Sequence, residues 1–288
     1  MTGGRIFKIG CGVALSAIVL GGLAAVGVFG LAAVSWWHKL GQSLPVSSAS
    51  GDPNSVQPPT LYLKVTQPAV APYAGPAKNV GFDVSYPQCG VSLPSTGGGF
   101  AIIGIANGRP ITANPCRAAQ WSWAQQQSAT AVYVNTSDPA DRDPAVWGQV
   151  AATSALFGIH ATGVPQGTTV WLDVETDNQW VGSWNRHVTV LQTMAQAIAD
   201  AGYRVGIYSS ANLWYAITGN AIVNVPIWYA TGPGTSRTAL ANCPNDGFGG
   251  QKPSVVQWVQ TTEGHSLDHN KLCPGVDATG LLRPTGSG

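Results

Sequence analysis

Along the chain, short apolar runs alternate with longer stretches whose apolar positions recur at helical spacing. Residues 80–84, 100–106, 131–135, 169–175, 204–209, 226–230 and 254–260, with a short run around Val276, read as strands. Residues 116–127, 144–160, 185–201 and 211–217 read as helices. Strands alternating with helices imply a parallel sheet, and about eight strands in roughly 200 residues predict a closed barrel. No internal repeat stands out.

Polar residues interrupt the apolar pattern at the strand ends. Asp83 ends the first strand, Asn135 the third, and Asp173 and Glu175 the fourth. Tyr208 stands in the fifth, Gln257 in the seventh and Asp277 at the last. In a barrel of parallel strands these ends converge on one mouth, where active sites sit. Asp173 and Glu175 are two residues apart, so on a strand they share a face, with Cα atoms roughly 6.5–7 Å apart. Burying two acids side by side is costly unless the site uses them. Paired carboxylates in unlike environments divide acid and base roles in sugar-bond cleavage. Of 13 acidic residues, these four lie in or beside apolar strands rather than on solvated faces, which points to an active site.

The amino end has a different pattern. Residues 9–37 carry no charge, a run longer than the roughly 20 residues that span a bilayer, and Arg5 and Lys8 precede it. This predicts an uncleaved signal anchor within residues 1–39, with the remainder outside the cytoplasm. Cleavage near Ala33-Val34-Ser35, giving a secreted protein, is the alternative. Residues 40–76, rich in Ser and Pro, read as a linker, and 77–288 as the folded domain.

Charged residues make up 9% of the chain and the net charge is +1, which excludes the clustered basic surface that nucleic acid requires. The chain has 11 Trp against 6 Phe. An indole suits stacking on sugar rings, although core packing is the commoner use of any one of them. Cys11 lies in the apolar run. Cys89, Cys116, Cys243 and Cys273 fall in the exported part, and an even count there implies two disulfides. Three pairings exist; Cys89–Cys116 with Cys243–Cys273 is expected, because each joins neighbouring loops.

Gly81-Phe82-Asp83-Val84-Ser85, Trp171-Leu172-Asp173-Val174-Glu175, Gly206-Ile207-Tyr208-Ser209, Pro226-Ile227-Trp228 and Gly275-Val276-Asp277 follow one another in an order that resembles glycoside hydrolase family 25, the Chalaropsis-type lysozymes or N-acetylmuramidases. The resemblance runs from about residue 80 to 282. It implies a TIM-like (β/α)5β3 barrel that cleaves the β-1,4 bond between N-acetylmuramic acid and N-acetylglucosamine in peptidoglycan. By position, Glu175 would be the general acid and Asp173 would stabilise the cationic transition state. Asp83 and Asp277 would bind sugar and hold that pair's protonation states apart. Tyr208, Trp228, Gln257 and Asn135 would line the substrate groove. Two departures mark a divergent branch: Ile105-Ala106-Asn107-Gly108-Arg109 stands where a lysine and an acidic residue are usual, and Val256 where an aromatic is usual. The alternatives are a non-catalytic wall-binding module on the same barrel, or a hydrolase of another glycan.

Other chemistry finds little support. His265-Ser266-Leu267-Asp268-His269 could be read as a metal cluster, but its Gly- and Asn-rich setting reads as an exposed loop. Asp138, Asp141 and Asp143 fit a turn before a helix better than a calcium loop. No zinc spacing, acyl-transfer elbow or phosphate loop occurs, so neither metal nor cofactor is expected.

Overall fold

Seven parallel strands and one antiparallel strand close a barrel. The computed structural model describes residues 60–262 and 265–286. The charge-free run 9–37, Cys11 and residues 40–59 of the expected linker lie outside the described residues. Among the described residues, no helix is long and apolar enough to cross a membrane.

The chain runs β1 (Tyr62–Leu63), β2 (Val80–Val84), β3 (Phe100–Gly104), α1 (Arg117–Ala124), β4 (Ala129–Asn135), α2 (Pro144–Thr162), β5 (Thr169–Asp173), α3 (Trp184–Asp200) and β6 (Arg204–Ser209). It continues through α4 (Ala211–Thr218), β7 (Ile222–Val223), β8 (Ile227–Pro233), α5 (Ser236–Leu240), β9 (Pro253–Thr262), β10 (His265–Leu272) and β11 (Arg283–Pro284). Strands β2, β3, β4, β5, β6, β8 and β9 pair in parallel in that order. Strand β10 then pairs antiparallel with both β9 and β2, completing the ring.

Alternation along the strands makes two cores. Inward-facing Phe100, Ile102, Ala131, Trp171, Trp228 and Val255 fill the barrel. Outward-facing Ile103, Val132, Val134, Val170, Leu172 and Ile207 pack against the helices, among them Leu191, Met194 and Ile198 of α3. Gly206 makes room for the interior: a Cβ there would lie 2.3 Å from the Trp171 ring. The two long helices begin where the sequence supplies caps. Asp143 accepts from the N–H groups of Ala145 and Val146 ahead of α2, and Ser183 from that of Arg186 ahead of α3.

Three expectations need correction. Residues 60–76 are not a free linker. Leu63 and Val65 are buried in the main core, β1 pairs with β7, and the Tyr73 N–H donates to the Thr279 hydroxyl. The alternation Leu61, Leu63, Val65 carries this, inside a Ser/Pro-rich surrounding that hid it. The last barrel strand is not near Val276 but is β10, and the His265–His269 stretch is therefore strand rather than loop. Both disulfides form in the expected pairing. Cys89–Cys116 ties the β2–β3 loop to the start of α1, and Cys243–Cys273 ties the segment after α5 to the end of β10.

Candidate active site

The carboxyl ends of the parallel strands carry a ring of acids and amides. Asp83 lies on β2, Asp173 ends β5, and Glu175 follows two residues later. Asp268 of β10 is the direct antiparallel partner of Asp83, and residues opposite each other on such a pair share a face. Asp83 and Asp173 are buried, while Glu175 and Asp268 are partly exposed.

Two hydrogen-bond chains converge on Asp83. Its Oδ2 accepts from Asn270 Nδ2 (2.6 Å) and from Gln257 Nε2 (3.0 Å). Asn270 Oδ1 accepts from the Trp228 indole N–H (2.8 Å), and Gln257 Oε1 from the Tyr208 hydroxyl (2.8 Å). On the other side, Asp173 Oδ2 accepts from Asn135 Nδ2, and the second Asp173 oxygen is buried without a protein partner.

This crowding moves every acid upward. Burial, then the charge of Asp268, holds Asp83 well above the usual carboxylate range, although its two amide donors pull the other way. Burial, then Glu175, does the same to Asp173, with the Asn135 amide opposing. Glu175 is pushed up to about 7 by burial and by Asp177 and Asp268. Burial pushes Asp268 up to about 6. Four acids that cannot all ionise together near neutrality can hold a transferable proton beside an anion.

The loop bearing Glu175 is braced from behind. Its carbonyl accepts from the Trp180 indole N–H (2.8 Å) and from the Asn178 N–H (3.2 Å). Next along, the Asp138 N–H donates to the Gln179 carbonyl (2.7 Å), and the Val181 N–H donates to the Asp138 carbonyl (2.9 Å). Fully buried Asp138 is ion-paired with Arg186 of α3 at 2.8 Å. The loops after β4 and β5 are thereby joined into one wall.

Of the residues anticipated from sequence, Asp83, Asp173, Glu175, Asn135, Tyr208 and Gln257 meet at this mouth. Asp277 does not. It lies exposed in the turn after β10, where its carboxylate accepts from the Thr279 N–H (2.8 Å), which lowers its pKa. The place expected for it belongs to Asp268. Trp228 is 2% exposed, with the rings of Tyr208, Trp171 and Tyr133 centred 4.5, 5.9 and 6.2 Å away, so it offers no open face to a sugar and serves as the floor. Asp268, Asn270 and Tyr133 were missed. Tyr133 sits over Gly104, where a Cβ would lie 2.7 Å from its ring, and its hydroxyl meets Ser85. The recoverable signal was Asp268-x-Asn270, which repeats the two-residue polar spacing of Asp173-x-Glu175.

Among the described residues, no group of three or more His, Cys, Asp or Glu side chains is arranged to hold a metal ion. Asp141 pairs with Arg142 at 3.0 Å and Asp143 caps α2, so neither is set up as a calcium ligand.

Comparison with known proteins agrees with this architecture. A family model described as Lysozyme-like protein 1 matches residues 107–252, just over half of the chain. The "Probable GH family 25 lysozyme 3" of Dictyostelium discoideum is 32% identical over 117 residues, a match covering 38% of this chain and 23% of that protein. The chain thus matches less than a quarter of that relative's length. Among solved structures, GHIP, described as a glycosyl hydrolase 25 of Streptococcus pneumoniae, aligns with a TM-score of 0.50 at 18% identity, covering 69% of this chain and 88% of its own. A muramidase from Acremonium alcalophilum aligns with a TM-score of 0.50 at 18% identity, covering 70% and 99%. At that identity the two structures speak for the fold.

Proposed function

The chain belongs to the lysozyme-like proteins of glycoside hydrolase family 25, and on that footing we propose that it hydrolyses the β-1,4 bond between N-acetylmuramic acid and N-acetylglucosamine in peptidoglycan. One observation carries the reading: Glu175, pushed up to about 7, faces Asp83, Asp173 and Asp268 across a single mouth. A general acid works best with a pKa near the working pH, and this one has anionic neighbours to stabilise a cation.

In this mechanism Glu175 gives its proton to the bridging oxygen as the bond from C1 of the sugar breaks. Positive charge develops on the ring, and Asp173 stabilises it, in part by orienting the substrate's own acetamido group. Water then adds to C1 and its proton returns to Glu175. Asp177 and Asp268 favour the proton on Glu175, while the Asn135 amide donates to Asp173 and favours its anion. We also place the domain outside the cytoplasm. Two disulfides and the charge-free run at residues 9–37 support export, by a membrane anchor or by secretion after cleavage. The test is incubation of the full chain with purified peptidoglycan while new reducing ends are counted. Hydrolysis that falls about 10²–10⁴-fold in Glu175→Gln supports the reading. Binding without new reducing ends would replace it with a wall-binding module.

A further inference from the structure

Resting on the reading of the mouth as a glycan-cleaving site, we propose that Tyr86 is the platform on which one sugar ring of the substrate stacks. Trp228 cannot serve, because three rings cover it. Tyr86 follows Asp83 by three residues, past the carboxyl end of β2, and opens a short 3-10 turn, Tyr86–Gln88. Its side chain is 43% exposed, and among the described residues no ring packs on it and no group bonds its hydroxyl. Around the barrel β2 lies four strands from β6, so Tyr86 stands across the mouth from Tyr208. The Tyr208 carbonyl in turn accepts from the Val174 N–H (2.9 Å), beside Glu175.

The backbone beneath the ring is braced. The Ser85 N–H donates to Gln88 Oε1 (2.9 Å), the Cys89 N–H to the Tyr86 carbonyl (3.1 Å), and Gln120 Nε2 to the Ser85 carbonyl (2.6 Å). Pro87 fixes its own φ. The Cys89–Cys116 disulfide ties the turn to the start of α1. Buried Asn114 links the same amide to β3: its Nδ2 donates to Gln120 Oε1 (2.7 Å) and to the Gly104 carbonyl (2.8 Å). A ring carried on so fixed a backbone loses little further freedom when it binds, and that preorganisation favours affinity.

The loop after β3 sets the ring itself. Gly108 there has φ +72°, and a Cβ on it would lie 3.2, 3.3 and 3.5 Å from Cε1, Oη and Cζ of Tyr86. Those atoms belong to one edge at the hydroxyl end, and contact along an edge steadies a ring without covering its faces. A β-linked pyranose carries ring C–H bonds on its faces and hydroxyls around its rim. It therefore lays a C–H face on an aromatic ring while its rim turns to polar groups, such as those of this mouth. The other strongly exposed aromatics, Tyr62, Phe157, Trp184 and Tyr215, sit on β1, α2, α3 and α4 instead of following a barrel strand into the mouth.

The full chain carrying Glu175→Gln holds substrate without cutting it, so calorimetry reads its affinity for a soluble tetrasaccharide of alternating N-acetylglucosamine and N-acetylmuramic acid. Adding Tyr86→Ala or Tyr86→Leu should weaken binding about tenfold, the second because an apolar chain without a flat face does not replace the ring. Tyr86→Phe keeps the face and should bind within about twofold of the parent. In the active chain, Tyr86→Ala should raise KM by a similar factor and leave kcat within about twofold, the mark of binding shared by ground and transition states. Binding within about twofold in Tyr86→Ala, or an equal loss in Tyr86→Phe and Tyr86→Ala, overturns the proposal. Binding that depends on Tyr86 in a chain that never cuts peptidoglycan fails the function and keeps the platform. Hydrolysis by a chain whose binding ignores Tyr86 does the reverse.

Discussion

Asp268 stands directly opposite Asp83 on the strand pair that closes the barrel. Closing the ring with an antiparallel strand sets a residue from the early part of β10 beside the carboxyl end of β2, so two acids far apart in sequence share one mouth. The charge of Asp268 raises the cost of ionising Asp83, and Glu175 feels Asp268 as well.

From this pairing, Asp268→Asn should lower the pKa of Glu175 and reduce hydrolysis near neutral pH by about tenfold, a shift of one unit being worth that factor. Asp277→Asn should leave the rate within about twofold, since that side chain caps its own turn in solvent. Parallel rate measurements on both variants decide it. A larger loss in Asp277→Asn would return that residue to the site.

Activity should follow a bell in pH. Glu175 must be protonated, so the rate falls as pH rises through about 7. Asp173 must be ionised, and its raised pKa brings the acid limb above the ordinary carboxylate range. An acid limb below pH 4 would contradict the assignment of Asp173.

The same shifts act on stability. The folded acids retain protons that the unfolded chain has released from about pH 4 upward, so stability is greatest in acid and declines as pH rises through about 7. Calorimetry should give a higher Tm at pH 5 than at pH 7.5, with a smaller difference in Glu175→Gln. A Tm that rises over this interval would refute the burial argument.

Reduction should destabilise the domain. The disulfides close loops with sequence separations of 27 and 30 residues, and bridges of this kind contribute about 2–4 kcal/mol each. A thermal melt with and without reductant should differ by at least about 5 °C. Identical melts would show that the bridges are dispensable.

Arg186→Met should cost about 3–5 kcal/mol, because it leaves the carboxylate of Asp138 buried and unpaired. It should also slow hydrolysis, since Asp138 braces the loop that carries Glu175. Denaturant unfolding measures the first effect, and a loss below about 1 kcal/mol would mean that the wall stands without the pair.

Much of this was legible in the chain because most barrel strands are apolar on both faces, one packing inside the ring and the other against helices. That pattern located β2 to β9 apart from the short β7, and the acids Asp83, Asp173 and Glu175 stood out against it. Strand β10 was hidden for a physical reason. Its inward residues Asp268 and Asn270 are polar because they build the site, while His269 outside stacks on Trp258 and meets the edge of Phe82. With polar residues on both faces, it has no apolar period to read. Asp277 comes forward from sequence instead because Gly275-Val276-Asp277 falls in the family 25 motif order. The resemblance puts Trp228 in the substrate groove, and only the three rings packed around it show that it is floor.

The most direct test of the central claim is mass spectrometry of the fragments released from purified peptidoglycan by the full chain, run beside Glu175→Gln. The account predicts fragments with N-acetylmuramic acid at the reducing end, formed by the native protein and absent with the variant. Fragments ending in N-acetylglucosamine, or equal release by the variant, would contradict it.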